Sequence, residues 1–231
     1  MQYDGGMLAR RWHSQGELKF WPGHAHHRHC AIPYLFSKTS MRENQTGSRQ
    51  ASFSCEVCIL AGGRSLRMGR DKRRLRLGGA SLLHHVKTTA QKLDLPLRIV
   101  RRDLVPRCGP LGGIFTALMS CSTEAVLFLS CDMPFVSTTL LEKLLVKSQD
   151  GTRPVFVEQN STKGFPFLMR REDLSLVSRQ ISRKQYSLQV LAKACNARSL
   201  RLPRTQHHEL FNINTPEDWR QARDLWRRLK D

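Results

Sequence analysis

The sequence has few acidic residues and no long apolar run. No stretch approaches the ~18 apolar residues that a membrane-spanning helix needs, so no membrane span is expected. The N-terminus lacks the clean apolar segment of a signal peptide, and the seven cysteines are odd in number and irregularly spaced. These features predict a cytoplasmic protein with reduced thiols rather than a secreted disulfide framework.

The scarcity of acidic residues leaves a strongly basic chain. In its 231 residues, 38 lysines and arginines stand against 19 aspartates and glutamates, which gives a formal net charge of +19. Such a charge suits nucleic acid, an anionic partner or phosphorylated ligands, although a basic bias of the whole proteome would also produce it. Because no RNA-binding or DNA-binding motif accompanies the charge, no nucleic-acid partner is expected. A polyanionic substrate is consistent with it.

Residues 1–54 differ from the rest, because they show neither a helical nor a strand period. They are predicted to be an irregular, disordered N-terminal extension, and Met41 is an alternative true start. The histidine-rich run 24–30 matches no zinc-ligand spacing and is interpreted as incidental. Cys55 and Cys58 have C-x-x-C spacing but begin an apolar strand pattern, which favours strand residues over a metal or redox pair. The ordered domain is expected to span residues 55–231.

A glycine-rich, basic stretch organises this domain. The apolar run 57–61 stops at Gly62 and Gly63, and a basic loop then leads to Lys72. This order predicts a strand that ends in a phosphate-holding loop, since glycine lets backbone N–H groups approach an anion closely. Arg64, Arg67 and Lys72 would add charge-assisted donors. The spacing is neither a P-loop nor a Gly-x-Gly-x-x-Gly fingerprint, and a basic surface turn is the alternative.

The remaining apolar pattern predicts alternating strands and helices, which is typical of an α/β domain. The predicted strands are 97–100, 125–130, 155–157, 165–168 and 200–202, with a polar turn at 160–164. The predicted helices are 81–92, 114–119, 138–148, 171–180 and 185–195, followed by a last helix that Thr215 caps and Pro216 begins.

Two further stretches are candidate ligand sites: a glycine-rich turn before a helix and an aspartate at the end of a strand. The glycine-rich turn at Gly109 leads into a helix N-terminus, which favours anions. Asp132 follows the continuous apolar strand 125–130, and ligands of open α/β sheets bind at the carboxyl ends of such strands. A carboxylate there suits Mg²⁺, which takes one or two protein carboxylates plus substrate phosphates. The alternative is that Asp132 caps the following helix.

These stretches resemble the MobA-like nucleotidyltransferases, the molybdenum cofactor guanylyltransferases. Residues 60–72 match every fixed position of the family signature Leu-Ala-Gly-Gly-x-Ser-x-Arg-Met-Gly-x-Asp-Lys. Gly-Pro-Leu-Gly-Gly at 109–113, Asp-Met-Pro at 132–134 and Asn-x-Asn-Thr-Pro at 212–216 follow in the family's order. The resemblance implies a three-layer α/β/α, Rossmann-like nucleotidyltransferase fold with a mostly parallel sheet.

The resemblance also implies a reaction and a set of site residues. The reaction is Mg²⁺-dependent transfer of GMP from GTP to the terminal phosphate of molybdopterin or the molybdenum cofactor, with release of pyrophosphate. The implied catalytic residues are Arg67, Lys72 and Asp132, with Asp132 as the metal ligand. The implied nucleotide-binding residues are Leu60, Ala61, Gly62, Gly63, Lys72, Asp103, Gly109 and Asp132. Asn212 and Asn214 are implied to lie on the pterin side.

Some of these assignments have alternatives. Asp103 could instead pair with Arg101 or Arg102, and the asparagines at 212 and 214 could bond loop backbone. The segment from Lys72 to Gly109 is shorter than the family's by about one strand and helix, which leaves guanine selectivity open. Phe165 stands where the family tends to have a histidine before the proline.

Two alternative functions follow. One is a cytidylyltransferase of the same fold that acts on molybdopterin or another phosphorylated small molecule. The other is a non-catalytic basic adaptor in molybdoenzyme assembly. Proteins of molybdenum insertion and molybdoenzyme assembly are candidate partners in either case.

Overall fold

The computed structural model describes residues 53–62, 74–149 and 153–230. In chain order, the strands are β1 (Cys55–Leu60), β2 (Arg76–Leu77), β3 (Ala80–Ser81), β4 (Leu97–Val100), β5 (Ala125–Ser130), β6 (Val155–Gln159), β7 (Thr162–Arg170) and β8 (Arg198–Arg201). The α-helices are α1 (Leu82–Gln91), α2 (Pro110–Ser120), α3 (Thr138–Lys147), α4 (Leu174–Ser182), α5 (Leu188–Ala194) and α6 (Pro216–Arg228). Short 3₁₀ helices lie at Arg171–Asp173 and Arg204–Leu210.

Six of the strands form one sheet in the order β4-β1-β5-β7-β6-β8. β1 pairs in parallel with β4 and β5, and β6 pairs in parallel with β8. Among the described residues, β7 is the only strand of this sheet that runs antiparallel to its neighbours, β5 and β6. The mostly parallel sheet that the sequence predicts is therefore confirmed.

The two faces of the sheet are covered by different helices. On one face, Cys58 and Phe128 pack in a cluster with α2, α4 and α5. On the other face, Ile59 and Leu127 pack in a second cluster with α1 and α3. Alternate residues of β1 and β5 thus serve opposite layers, as strand geometry requires. The arrangement confirms the three-layer α/β/α fold.

A third, smaller cluster joins the two ends of the domain. Leu75, which precedes β2, and Leu77 of the β2–β3 hairpin pack with Ala222 of α6. Trp226 lies against Gly78 in the hairpin turn, where φ is +55° and a Cβ would approach the indole to 2.4 Å. The last helix therefore holds the hairpin that follows the glycine-rich loop.

Several element boundaries differ from those predicted. α2 begins at Pro110, before the predicted 114, because Gly109 takes the capping position and proline suits the first helical turn. The predicted five-residue turn at 160–164 is a two-residue turn, since Asn160 and Ser161 have φ of 49° and 61° and allow a tight hairpin. The helix predicted at 171–180 starts as a 3₁₀ turn and becomes helical at Leu174.

The predicted roles of Cys55 and Cys58 are confirmed. The two side chains belong to clusters on opposite faces of the sheet. Burial raises the pKa of each thiol to about 12, which is typical of an inert core residue rather than a reactive pair.

The predictions for the N-terminal extension, including Met41, concern residues outside the described part, apart from Phe53 and Ser54. The Ser54 amide donates to the Glu124 carboxylate at 2.7 Å. None of the described helices is long and apolar enough to cross a membrane.

Candidate active site

The carboxyl ends of three parallel strands converge at one edge of the sheet. The amide of Ala61 donates to the Val100 carbonyl at 2.8 Å, and the amide of Cys131 donates to the Leu60 carbonyl at 3.1 Å. These bonds continue the β4-β1-β5 pairing past the strand ends. They bring the start of the glycine-rich loop, Leu60 to Gly62, beside the segment that carries Asp132.

Asp132 is half-buried at this edge, two residues beyond β5. The Ser130 hydroxyl donates to its carboxylate. The alternative role of Asp132 as a helix cap is wrong. α3 is capped by Ser137, whose side chain accepts from the Leu140 amide at 3.1 Å. Ser137 therefore takes the capping position of α3, and the Asp132 carboxylate is bonded to the Ser130 hydroxyl at the end of β5.

The backbone of Asp132 also anchors the loop of the two predicted pterin-side asparagines. The buried Ile213, between Asn212 and Asn214, donates its amide to the Asp132 carbonyl at 3.0 Å. The Asp218 carboxylate accepts from the Asn214 amide at 2.8 Å and so holds the loop from the first turn of α6. Asn212 is exposed and Asn214 is half-buried. The backbone of the loop that carries both asparagines is thus bonded to the backbone of Asp132.

Asp103 lies in a position that the sequence pattern does not reveal. A Cβ on Gly62 or on Gly113 would lie 3.4 Å from Asp103 Oδ1, and one on Gly112 would lie 2.9 Å from Oδ2. The carboxylate therefore fits against three glycines, between the end of β1 and the first turn of α2. The close approach of the Asp103 carboxylate to the backbone explains why these three positions are glycine.

The electrostatics of Asp103 distinguish it from a surface carboxylate. Within residues 53–62, 74–149 and 153–230, Asp103 makes no hydrogen bond or ion pair, so the predicted alternative of pairing with Arg101 or Arg102 is wrong. Partial burial raises the pKa of its carboxyl group above the ordinary value. A carboxylate in this state is well suited to accept hydrogen bonds from a ligand.

Gly109 lies at the N-cap of α2 with φ of 56° and ψ of −142°, a conformation that favours glycine. Gly109 lies close to Tyr186, since a Cβ on Gly109 would be 3.8 Å from the Tyr186 carbonyl oxygen. In the first turn of α2, Pro110 has no N–H group and the Leu111 amide donates to the Cys108 carbonyl at 3.2 Å. An anion site at the start of α2 therefore stays a prediction.

Three predicted site residues, Gly63, Arg67 and Lys72, lie outside the described residues. The described part resumes at Arg74, and Leu75 and Leu77 anchor it in the third cluster. Sequence reasoning missed Ser130 and Ile213. The signal for Ser130 was weak, since a serine at a strand end is common, and the signal for Ile213 was its place between two asparagines.

The donor set at this edge fits Mg²⁺. The described residues contain no cluster of three or more histidine, cysteine, aspartate or glutamate side chains that could hold a metal by itself. Mg²⁺ does not require such a cluster, because it commonly takes one or two carboxylates and completes its shell with substrate phosphates and water. Asp132 supplies a hard carboxylate oxygen of this kind at the mouth of the site.

Comparison with known proteins gives a consistent result. The family described as "MobA-like NTP transferase domain" matches residues 57–199. A molybdenum cofactor guanylyltransferase from Xanthomonas euvesicatoria is 30% identical over 176 residues, which cover 70% of this chain and 90% of that protein. A probable molybdenum cofactor guanylyltransferase from Methanothermobacter thermautotrophicus is 30% identical, over 71% of this chain and 96% of that protein.

Solved structures share the fold at lower identity. Molybdopterin-guanine dinucleotide biosynthesis protein A from Archaeoglobus fulgidus is 21% identical, with a TM-score of 0.61 over 75% of this chain and 99% of that chain. The 2-C-methyl-D-erythritol 4-phosphate cytidylyltransferase from Thermus thermophilus is 16% identical, with a TM-score of 0.56 over 75% and 99%. The fold is therefore common to a protein named for molybdopterin-guanine dinucleotide biosynthesis and to an enzyme named for cytidylyl transfer.

Proposed function

Since the chain belongs to the MobA-like NTP transferase domain family, we propose that it transfers GMP from GTP to the terminal phosphate of molybdopterin or its molybdenum-loaded form. Pyrophosphate is the second product, and a guanine dinucleotide cofactor is formed. The observation that carries this proposal is the convergence of Leu60–Gly62, Asp103 and Asp132 at one edge of the sheet. The loop of Asn212 and Asn214 is bonded to the same aspartate.

The reaction needs positioning more than proton transfer. A terminal phosphate oxygen of the acceptor forms a bond to the α-phosphorus of GTP, and the bond from that phosphorus to the α–β bridging oxygen breaks. The acceptor phosphate carries negative charge at neutral pH, so no general base has to be supplied. Two polyanions must nevertheless be held together, which requires cationic and N–H groups along the cleft.

Different residues of the chain are proposed to bind the triphosphate, the metal ion and the acceptor. The amides around Gly62 and Gly63 hold phosphate oxygens, and Arg67 and Lys72 bind the triphosphate and neutralise the leaving pyrophosphate. Asp132 would hold Mg²⁺, which when bound supplies charge neutralisation between phosphate groups. Ser130 keeps the Asp132 carboxylate oriented. Asn212 and Asn214 contact the acceptor on the other side.

Guanine is the favoured base. Relatives that are 30% identical carry guanylyltransferase names, whereas the cytidylyltransferase above resembles this chain in fold alone. Asp103 is the candidate base or ribose contact, because it is a half-buried carboxylate beside Gly62 with no partner among the described residues. Cytidylyl transfer remains the second candidate, because the shorter segment before Gly109 leaves base selectivity open.

The decisive experiment measures pyrophosphate release from purified protein with Mg²⁺, molybdopterin and either GTP or CTP. We expect release with GTP. Release with CTP alone would overturn the guanylyl assignment, and no release with any nucleotide from a folded sample would favour the adaptor function. Asp132→Ala should abolish Mg²⁺-dependent turnover while the protein stays folded, since its bond to Ile213 uses the backbone carbonyl. A near-normal rate would remove Asp132 from the mechanism.

The same proposal places the protein in the cytoplasm and gives it molybdenum-insertion and molybdoenzyme-assembly proteins as partners. It also treats residues 1–54 as an extension that the reaction does not require. Pyrophosphate release from a chain that begins at Met41 would test this point for residues 1–40, with the full chain as the reference. Loss of turnover in the shortened chain would contradict it.

A further inference from the structure

Two segments of the proposed active site lie side by side and run in opposite directions. One segment begins at Asp132, the proposed metal ligand, and ends at Ser137. The other begins at Glu209 and ends at Ile213, within the loop of the proposed acceptor contacts. At one end of the pair, the Ile213 amide donates to the Asp132 carbonyl at 3.0 Å. At the other end, the amide and the hydroxyl of Ser137 both donate to Glu209 Oε2, the amide at 3.1 Å.

An aromatic pair joins the same two segments between these hydrogen bonds. The rings of Phe135 and Phe211 meet edge to face, with their centroids 6.3 Å apart. Both rings pack against the third cluster, which contains Ile213. Asn212 follows Phe211 directly, so the distance from Asn212 to the Asp132 carboxylate depends on how firmly the two segments are joined.

Glu209 is a buried carboxylate, which is uncommon in folded proteins. It lies in the 3₁₀ helix Arg204–Leu210 and is only 6% exposed. Within the described part of the chain it forms no ion pair. A buried carboxylate is costly unless it is hydrogen-bonded. Its two bonds come from Ser137 at the N-cap of α3, where the helix dipole also favours negative charge. These bonds restrict the carboxylate to one position.

Other bonds hold the nucleotide side of the site. The Cys131 amide donates to the Leu60 carbonyl at 3.1 Å, and the Ser130 hydroxyl donates to the Asp132 carboxylate. These groups belong to the end of β5 and its pairing with β1, and Glu209 takes part in none of these bonds. A change at Glu209 is therefore expected to move the loop that follows it and to leave the Asp132 carboxylate and the end of β1 in place.

We propose that Glu209 is a positioning residue for the acceptor. Its bonds to Ser137 fix the start of the loop that carries Asn212 and Asn214. The acceptor phosphate is thereby held at the distance from Asp132 at which it meets the α-phosphorus of GTP. Because its carboxylate is buried, Glu209 acts through this loop and touches neither substrate. This inference rests on the proposed nucleotidyl transfer and adds to it a residue that acts on the acceptor side alone.

The test removes the carboxylate and then restores its oxygen. Glu209→Ala should lower kcat/KM for molybdopterin roughly 10- to 100-fold, because a misplacement of about 1 Å can cost about 100-fold in rate. The KM for GTP should stay unchanged. Glu209→Gln should recover most of the loss, since its amide oxygen can accept the same two bonds. Glu209→Asp keeps the charge on a shorter side chain, so it should show a loss like that of Glu209→Ala.

Asp173→Ala is the matched control, because it also removes a carboxylate that accepts a backbone amide at the start of a helix. The Asp173 carboxylate is half-buried and accepts from the Arg170 amide at 2.9 Å. Arg170 pairs with Ala125, the first residue of β5, so this carboxylate lies at the opposite edge of the sheet from Asp132. Asp173→Ala should leave the kinetic constants for both substrates unchanged. Thermal unfolding of each variant shows whether it is folded.

A binding measurement separates this inference from the proposed function. Equilibrium dialysis of molybdopterin against the protein, without nucleotide, should give weaker binding to Glu209→Ala than to the wild type and to Asp173→Ala. If the wild type turns over GTP and molybdopterin while folded Glu209→Ala keeps its kcat/KM for molybdopterin, the inference is wrong and the function stands. If the wild type shows no turnover, the proposed function fails, and the dialysis still decides whether Glu209 holds the loop in a form that binds the acceptor.

Two other outcomes would also overturn the inference. A rise in the KM for GTP in Glu209→Ala would show that the nucleotide side depends on this residue. An equal loss of kcat/KM in Asp173→Ala would show that a general loss of hydrogen bonding lowers the activity. If Glu209→Ala does not fold, the comparison of Glu209→Asp with Glu209→Gln decides, and equal values of kcat/KM for molybdopterin would exclude the positioning role.

Discussion

Gly112 provides a direct test of how the segment with Asp103 is held against α2. A Cβ at this position would lie 2.6 Å from the Val105 carbonyl oxygen and 2.9 Å from Asp103 Oδ2. Both distances are shorter than folded proteins tolerate, and the first atom belongs to the backbone, so no side-chain rotation relieves the overlap. Gly112→Ala must therefore push the segment 103–105 away from the helix.

The cost can be bounded from two opposing effects. Overpacking of this kind typically costs about 1–3 kcal/mol, and a backbone partner places this case toward the upper end. Alanine inside a helix recovers about 1 kcal/mol relative to glycine. We expect a net loss of roughly 1–2 kcal/mol in the free energy of unfolding. In a domain of this size that corresponds to a fall in Tm of about 3–6 °C.

The adjacent position supplies the matched control. Gly113→Ala gains the same helix propensity, and the nearest atoms to its Cβ are the Leu60 methyl groups at 3.1 and 3.3 Å, which can shift. It should be nearly neutral in urea or thermal unfolding. Because Gly112→Ala displaces Asp103, its KM for GTP should also rise, by roughly tenfold if one hydrogen bond to a charged group is lost. Equal stability of the two variants would refute the proposed packing.

Three further predictions concern Asp103, the hairpin and the last helix. Burial raises the pKa of the Asp103 carboxyl group, so the charged form destabilises the folded protein above that pKa. Asp103→Asn should therefore be more stable than the wild type at pH 7, and the difference should disappear as the pH falls and Asp103 of the wild type becomes neutral. The KM of Asp103→Asn for GTP should rise. Gly78→Ala should destabilise by about 2–4 kcal/mol in thermal unfolding, from a positive φ and the overlap with Trp226. Thr215→Ala should cost about 1 kcal/mol by the same measurement, because the bond from the Asp218 amide to the Thr215 hydroxyl is lost.

Each of these has an outcome that would contradict it. An Asp103→Asn protein that is less stable than the wild type at pH 7 would mean that the carboxylate has a favourable partner. For Gly78→Ala, a second change of Trp226→Leu should recover part of the loss, and no recovery would place the strain elsewhere. Thr215→Ser should retain the cap, and a loss equal to that of Thr215→Ala would exclude the hydroxyl as its basis.

Much of the fold could be predicted because its signals are local. The apolar run 125–130 is β5 to the residue, and Thr215 caps α6 as expected. Strand periodicity, proline at a first turn and a capping side chain act between residues a few positions apart. The start of α2 was predicted at 114, although Gly109 at the cap and Pro110 in the first turn obey the same local rules. Gly112 and Gly113 resemble turn residues in the sequence, but within α2 they leave room for Asp103 and Leu60, which no local pattern shows.

The candidate site divides in the same way between sequence and structure. The sequence by itself determined the glycine-rich strand end and the aspartate after β5, because each is one continuous motif. Only the tertiary structure decided that Asp103 lies against glycines at the end of β1 and in α2, and that Ile213 is bonded to Asp132. These pairs are far apart in the chain. Their proximity depends on strand order and helix packing, which result from burial across the whole domain. Neither can be deduced from a short stretch of sequence.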